Sequence, residues 1–293
     1  MEIRQLEYFQ TVCSLNSISK AAEQLHVAQP SVSIAIQKLE EDLGVQLFNR
    51  SQRQITLTAE GQIFLERTNE ILARISDSRN EMKDLQLLQK GSVKIGIPPM
   101  IGIFLFPPIF AQFQKQYPQI ELIAVEGGSL SIQSLVEQGR IDIGIITQSA
   151  SSSLLDKLLI TSGQIHVCLH PGNPLSKLPS VPFGQLREQP FILLKEDSYN
   201  RKVILEECKK HHFQPKIIFS SSQVETIINL VQLEIGISFL FDTIAKRHPE
   251  IYSCPLADPI HYQIVLAWNH HRYLTGAAKA FIGFMTDSQF PNL

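Results

Sequence analysis

The apolar positions of the chain change period along its length. Leu6, Phe9, Val12 and Cys13 recur at helical spacing, as do Ala21, Ala22 and Leu25, and then Val32, Ala35, Ile36 and Leu39. Ser17 or Ser19 is placed to cap the second of these helices, Pro30 fits the first turn of the third, and Gly44 ends it. Arg50 to Arg53 then form a turn, with Gln54–Leu57 as its return strand, so this opening segment predicts three short helices and a small hairpin. Thr58 reads as the N-cap of a long helix reaching about Leu88, with Gly61 an early irregularity. Within it Phe64, Thr68, Ile71, Ile75, Ser78, Met82 and Leu85 follow a 4-3-4-3-4-3 spacing, a heptad seam along a helix of roughly 45 Å. The seam predicts self-pairing through Phe64, Ile71, Ile75, Met82 and Leu85; the alternative is a long helix lying on its own domain.

After Gly91 the pattern changes to short β-rich runs alternating with helical ones. Strands are predicted at Val93–Ile97, Gln119–Glu126, Ile141–Thr147, Ile165–His170, Phe191–Leu194, Lys216–Ser220, Ile237–Phe241 and Tyr262–Trp268. Helices are predicted at Ile101–Gln116, Ser129–Gln138, near Arg201–His211, near Gln223–Leu233, and from Gly276 to Met285. Such alternation implies parallel sheets with helices on both faces, divided into two sub-domains with a cleft between them. The fold class is thus α+β overall: a helical N-terminal unit with a small hairpin, a long helix, and a two-lobed α/β domain.

Composition narrows the function. The chain has 293 residues, 44% hydrophobic and 18% charged, which suits a folded protein with two or three domains. The net charge is −2, so any affinity for nucleic acid must come from a few placed groups and not from bulk charge. Cys13, Cys168, Cys208 and Cys254 form no C-x-x-C pair and read as free thiols of a reducing cytosol. No signal-peptide pattern opens the chain, and the apolar runs Ile101–Phe110 and Ile235–Phe241 are too short to span a bilayer, so the expected location is cytoplasmic. No H-E-x-x-H, G-x-S-x-G, P-loop or G-x-G-x-x-G pattern is present. The pairs His211–His212 and His270–His271 are poor chelates. An enzyme, a metal and a cofactor are therefore not expected.

Ser19 to Ser33 carries the pattern of a helix-turn-helix. Ala21 and Ala22 permit close helix contact, a short turn surrounds His26–Ala28, and a second helix opens at Pro30. Its first turns present Gln29, Ser31, Ser33, Ile34 and Gln37, while Val32, Ala35, Ile36 and Leu39 form the back. Uncharged hydrogen-bonding groups near a helix N-terminus, on an apolar back, are what base-edge readout needs. Charge is segregated to match: from Val27 to Leu39 the only charge is Lys38, and from Leu43 to Ala59 the only charges are Arg50 and Arg53. Those two arginines, in a hairpin turn, suit phosphate or minor-groove contact.

Taken together, Leu6–Phe9, Ser19–Leu25, Ala28–Ser33, Ile36–Glu40, Leu43–Arg50 and Leu57–Gly61 resemble the winged helix-turn-helix of LysR-type transcriptional regulators. Leu105–Pro107, Phe113–Pro118 and Ile141–Ile145 extend the resemblance to essentially the whole chain. It implies a DNA-binding domain over 1–58, a dimerising linker helix over 59–89 and an effector domain over 90–293, similar to a type 2 periplasmic binding protein. The two lobes would cover about 90–161 with 266–293, and about 162–265. The resemblance further implies homodimers assembling to homotetramers on promoter DNA, with RNA polymerase as a further partner, and a small-molecule effector between the lobes. The DNA contacts would be Gln29, Pro30, Ser31, Ser33, Ile34 and Gln37, with Arg50 and Arg53 at the wing. Effector contacts would fall at strand-to-helix junctions: Pro99, Met100 and Ile101, Ser129, Thr147, Gln148 and Ser149, Ser198 and Tyr199, and Ser222. Many relatives place a hydroxyl at the first junction, where it helps to hold a carboxylate; Pro98-Pro99-Met100-Ile101 has none, which points toward a less polar or smaller effector. Two other readings are an effector-independent LysR-like DNA-binding protein and a solute-binding protein whose N-terminal helices mediate assembly.

Overall fold

The computed structural model describes residues 1–49, 55–86, 91–148 and 152–287, without the side chains of residues 80 and 83–86. It forms two compact units, Met1–Lys83 and Asp84–Leu293.

The first unit opens with α1 (Ile3–Leu15), α2 (Ile18–Gln24) and α3 (Gln29–Leu43). The Ser17 hydroxyl accepts the Lys20 N–H at 3.3 Å, Pro30 lies in the first turn of α3, and Gly44 closes α3 at φ 70°. Leu6, Phe9, Val12, Ala21, Ala22, Val32, Ile36 and Leu39 are buried together. Each large apolar side chain removed from water stabilises by about 1.5–3 kcal/mol. Strand β1 (Phe48–Asn49) pairs antiparallel with β2 (Thr56–Leu57); Arg50 and Arg53, expected in a turn, lie outside the described residues. The buried Glu40 carboxylate accepts the N–H groups of Leu47 (2.7 Å) and Phe48 (3.2 Å), which ties α3 to the hairpin.

Helix α4 (Ala59–Gln86) follows. The Thr58 hydroxyl accepts the Gly61 N–H at 2.9 Å and donates to the Gln46 carbonyl at 2.7 Å. Gly61 is not an irregularity. A β-carbon there would stand 2.1 Å from the Leu47 carbonyl oxygen, so the missing side chain lets α4 press against the hairpin. Nor is the heptad seam free throughout. Phe64 and Ile71 pack against the core of their own unit, with the Phe64 and Phe9 rings 5.3 Å apart, and Thr68 is fully buried. Phe64 and Ile71 also keep part of their surface exposed. Ile75 is half-buried and Met82 exposed; the side chain of Leu85 lies outside those described.

The second unit runs β3 (Gly91–Ile97), α5 (Pro99–Phe104), α6 (Phe106–Gln116), β4 (Ile120–Glu126), α7 (Ser129–Glu137), β5 (Ile143–Thr147) and β6 (Leu155–Leu169). It continues through β7 (Pro190–Leu194), α8 (Tyr199–Lys210), β8 (Lys216–Ser221), α9 (Val224–Gln232), β9 (Ser238–Phe241), α10 (Asp242–Ala245), β10 (Tyr252–Asn269) and α11 (Gly276–Asp287). The predicted single helix over 101–116 is two, α5 and α6, since Pro107 and Pro108 bring no N–H to bond back to the preceding turn.

The large sheet is mixed, not parallel, while the two-stranded sheet of the second unit is parallel. Six strands lie in the order β4-β3-β5-β10-β6-β9; β3 pairs parallel with β4 and β5, whereas β10 pairs antiparallel with β5 and β6, and β6 with β9. β7 and β8 form a parallel pair, joined to the start of β9 by the Ile192 N–H to the Ile237 carbonyl at 2.8 Å. The cause of the difference is the length of β6 and β10, 15 and 18 residues, which run side by side from one lobe into the other. Their register slips between Ile264 and Val265 and between Pro255 and Ile260, so the ladder bends where it leaves the first lobe and again within the second.

Gly61 yields a test with an unusual sign. Alanine inside a helix ordinarily stabilises by up to about 1 kcal/mol relative to glycine. Here Gly61→Ala is expected to destabilise the first unit by about 1–3 kcal/mol through overpacking, read as a lower thermal midpoint; a higher midpoint would contradict the close approach.

Candidate functional site

Two surfaces carry the candidate chemistry. On α3 the predicted division holds: Gln29, Pro30, Ser31, Ser33, Ile34 and Gln37 are exposed while Val32, Ile36 and Leu39 are buried. Ala35, expected on the back, is only partly covered. The Gln37 amide donates to Glu41 at 3.1 Å, a surface bond easily given up to a base edge. The turn before α3 is made by His26 at φ 54°, with the Val27 N–H returning to the Ala22 carbonyl at 3.0 Å.

In the second unit a cavity of about 830 Å³ opens between the two lobes. It lies where strands end and helices begin. β3, β4, β5, β7 and β9 reach it with Ile97, Glu126, Thr147, Leu194 and Phe241, and α5, α7, α8 and α9 start beside it. Ligands gather at such places because the carboxyl ends of strands and the free N–H groups of helix starts converge there. None of the four helices has a side-chain bond from its own N-cap residue.

Of the predicted contacts, Pro99, Met100, Ile101, Ser129, Thr147, Ser198 and Ser222 line this cavity. Ser129 is committed to structure: its hydroxyl accepts the Thr147 N–H at 3.1 Å and fastens α7 to β5. Two predicted residues are not lining. Gln148 is drawn into the sheet by its N–H bond to the Gln263 carbonyl at 2.8 Å, and Tyr199 is half-buried outside the cavity lining. There burial, with the charge of Glu206, pushes the Tyr199 phenol above its usual range. Ser149 lies outside the described residues.

Sequence reasoning did not single out Asp197, Asn200, Phe106 or Phe241, all of which line the cavity. Asp197 belongs to the second lobe and spans to the first. Its Oδ2 accepts the Gly128 N–H at 2.7 Å and the Ser131 hydroxyl at 2.8 Å, while its carbonyl accepts the Leu130 N–H at 3.0 Å. A carboxylate at the start of α7 meets the positive end of that helix. Gly128 is required for this approach, since a β-carbon would lie 2.2 Å from the Asp197 carbonyl oxygen. Beside the long strands, Tyr262 stacks on Phe241 at 3.9 Å and donates to Asp242 at 3.2 Å, with Lys246 at 2.9 Å on the other oxygen. Burial opposes ionisation of Asp242, but the Lys246 bond and charge, the Gln164 N–H and the Tyr262 hydroxyl outweigh it and hold its carboxyl below the usual range.

Among the described residues no group of three metal-ligating side chains is assembled and no helix is long and apolar enough to cross a membrane. All four cysteines are free. Burial pushes Cys13, Cys168 and Cys208 up to about 12 and raises Cys254 as well.

Removing the cap at α7 by Asp197→Ala is expected to cost about 1–2 kcal/mol, seen as a lower melting temperature of the second unit; an unchanged value would deny the contact between the lobes any weight. The thiols give a second expectation. With values near 12, the thiolate population at pH 8 is roughly a thousandfold below that of an ordinary thiol. A disulfide reagent should titrate the native protein slowly and all four cysteines at once after unfolding, and fast native labelling would contradict the burial.

Residues 3–62 match the bacterial regulatory helix-turn-helix protein family of LysR type, and residues 87–289 match the LysR substrate binding domain. An uncharacterised HTH-type transcriptional regulator of Bacillus subtilis (strain 168), YwbI, is 35% identical over 285 residues, covering 96% of this chain and 95% of that protein. Among solved structures, the LysR family regulator HinK of Pseudomonas aeruginosa is 26% identical with a TM-score of 0.58, covering 97% of each chain. A full-length single-site variant of OxyR from Pseudomonas aeruginosa, 24% identical, shares the fold at a TM-score of 0.65 over 99% of this chain and 96% of that one. With a LysR helix-turn-helix at one end and a LysR effector-binding domain over most of the remainder, the chain belongs to the LysR family of DNA-binding transcriptional regulators.

Proposed function

We propose that this regulator reads promoter DNA with the exposed face of α3 and switches when a small molecule enters the cleft between its lobes. Gln29, Pro30, Ser31, Ser33, Ile34 and Gln37 contact base edges in the major groove, and Arg50 and Arg53 hold phosphates at the wing. The division of labour is 1–58 for reading, 59–89 for pairing and 90–293 for sensing, the lobes covering about 90–161 with 266–293, and 162–265. Pairing uses the seam of α4, with Phe64, Ile71, Ile75, Met82 and Leu85 on it, and assembly proceeds from dimers to tetramers. The single observation that carries the sensing role is the cavity of about 830 Å³ at the strand ends, walled by both lobes.

The proposed switch is a change of lobe closure about β6 and β10, the two strands shared by both lobes. An effector that binds one closure better than the other shifts the population of the two, and this shift resets the spacing of the paired DNA-binding domains. The near-neutral charge makes pairing necessary, because one unit offers too few cations to hold DNA alone.

Ser33→Ala and Gln37→Ala should alter preference among single-base variants of the operator by about 1–3 kcal/mol per lost contact, with non-specific affinity nearly kept. Arg50→Ala and Arg53→Ala should each weaken binding at every sequence and reduce the salt slope by about 1. The reverse pattern in either pair rejects its assignment. For the cleft, Ala124 is an exposed lining residue, so Ala124→Trp fills the cavity from a tolerant position. Footprinting on the upstream promoter should show normal DNA binding with the response to metabolites abolished; a retained response would place the effector elsewhere.

A further inference from the structure

Inside the cleft one side chain is left without partners. Asn200, in the first turn of α8, is 1% exposed, lines the cavity, and has neither Nδ2 nor Oδ1 hydrogen-bonded. Buried amides are almost always paired, because leaving both atoms unsatisfied costs a large part of a protein's net stability. A group kept in this state awaits a partner that enters the cavity. The helix behind it has twelve residues and no side-chain cap, so its first N–H groups face the same space.

The rest of the wall disfavours an anion. The start of α5 is Pro98–Pro99, two residues without N–H donors. The start of α7 already holds a carboxylate, that of Asp197. Among the lining residues the charges are Glu126, Glu225 and Lys195, all exposed, and the half-buried Asp197. A carboxylate ligand would meet like charge with no buried cation to compensate. Asn200 offers a donor and an acceptor side by side, and the complement of that edge is another amide edge: a carbonyl to accept from Nδ2 and an N–H to donate to Oδ1. Met100, Ile101, Phe106 and Phe241 supply the apolar surroundings for the remainder of the ligand.

We propose that the effector is an uncharged small molecule bearing a carboxamide-type edge, and that Asn200 is the residue that reads it. This rests on the reading of the cleft as the effector site. It also assigns the Asp197 carboxylate a second task, that of occupying the helix start where an anion would otherwise bind.

The test uses the full chain, wild type, Asn200→Leu and Asn200→Ala, in thermal melts and calorimetric titrations. The probes are three matched pairs: benzamide with benzoate, nicotinamide with nicotinate, and hexanamide with hexanoate. Without ligand, Asn200→Leu should melt about 2–4 °C higher than wild type, and Asn200→Ala no lower. At least one amide should raise the wild-type midpoint, bind at least about tenfold tighter than its acid, and lose about tenfold or more in both variants. A lower midpoint in both variants would make the amide a structural group and overturn the proposal. So would preference for the acids, amide binding indifferent to position 200, or no binding within any pair. Acids that bind wild type but not Ala124→Trp would overturn the amide class while keeping the cleft as the effector site. Amide binding that survives Ala124→Trp would remove both readings.

Discussion

The pairing of β6 with β10 is the constraint on which the second unit depends. Asn269 lies opposite Leu155 at one end of this ladder and Tyr252 opposite Leu169 at the other, and each lobe is completed around one part of it. β5 attaches to the first-lobe end of β10, and β9 to the second-lobe end of β6. Backbone pairing therefore passes from one lobe to the other, broken only by two slips in register that are its compliant points. The cleft exists because the strands of each lobe end facing it. Closure is then set by few contacts, of which Asp197 on the start of α7 is the clearest.

Sensing and reading place opposite demands on charge. The chain as a whole is nearly neutral, at −2. The exposed side of α3 carries no acid over Gln29–Lys38, and the cleft is lined mainly by apolar and neutral polar groups with a minority of acids. Each surface is thus selective without a strong field reaching the other. On the functions proposed above, discrimination in both comes from the geometry of neutral donors and acceptors: Ser33 and Gln37 on α3, Asn200 on α8. Between them α4 gives its first apolar positions, Phe64 and Ile71, to the core beneath it, and this fixes how the helix leaves the reading domain.

How much of this was legible follows from the range of the interactions. The helix-turn-helix is written in local signals, Ser17, Pro30, Gly44 and Thr58 at the helix ends and a clear helical period between them, and the structure places each as expected. The junctions around the cleft were also legible, because strand ends and helix starts leave turn residues behind. The antiparallel half of the large sheet was not. Pro255, Pro259 and Gly163 look like breaks in any single strand, and only the distant partner shows that the ladder bridges them. The heptad seam reported a helix with an apolar stripe but not what covers it. Asp197 caps a helix whose N-cap residue, Gly128, lies 69 residues earlier, and no local signal carries that information. Asn200 differs from an ordinary helix-start asparagine only in having no partner, a property visible in three dimensions alone.

The proposed switch is a motion of the two lobes about β6 and β10, restrained by Asp197. Its most direct test is a distance measurement by pulsed electron resonance, with nitroxides at the exposed Lys115 of the first lobe and Lys202 of the second, in labelled chain diluted with unlabelled. The account predicts a narrow distribution in the otherwise unaltered protein and a longer, broader one when Asp197→Ala is added. The same narrow distribution in both proteins would contradict it, because the lobes would then be fixed by the sheet alone and the cleft could not act as a switch.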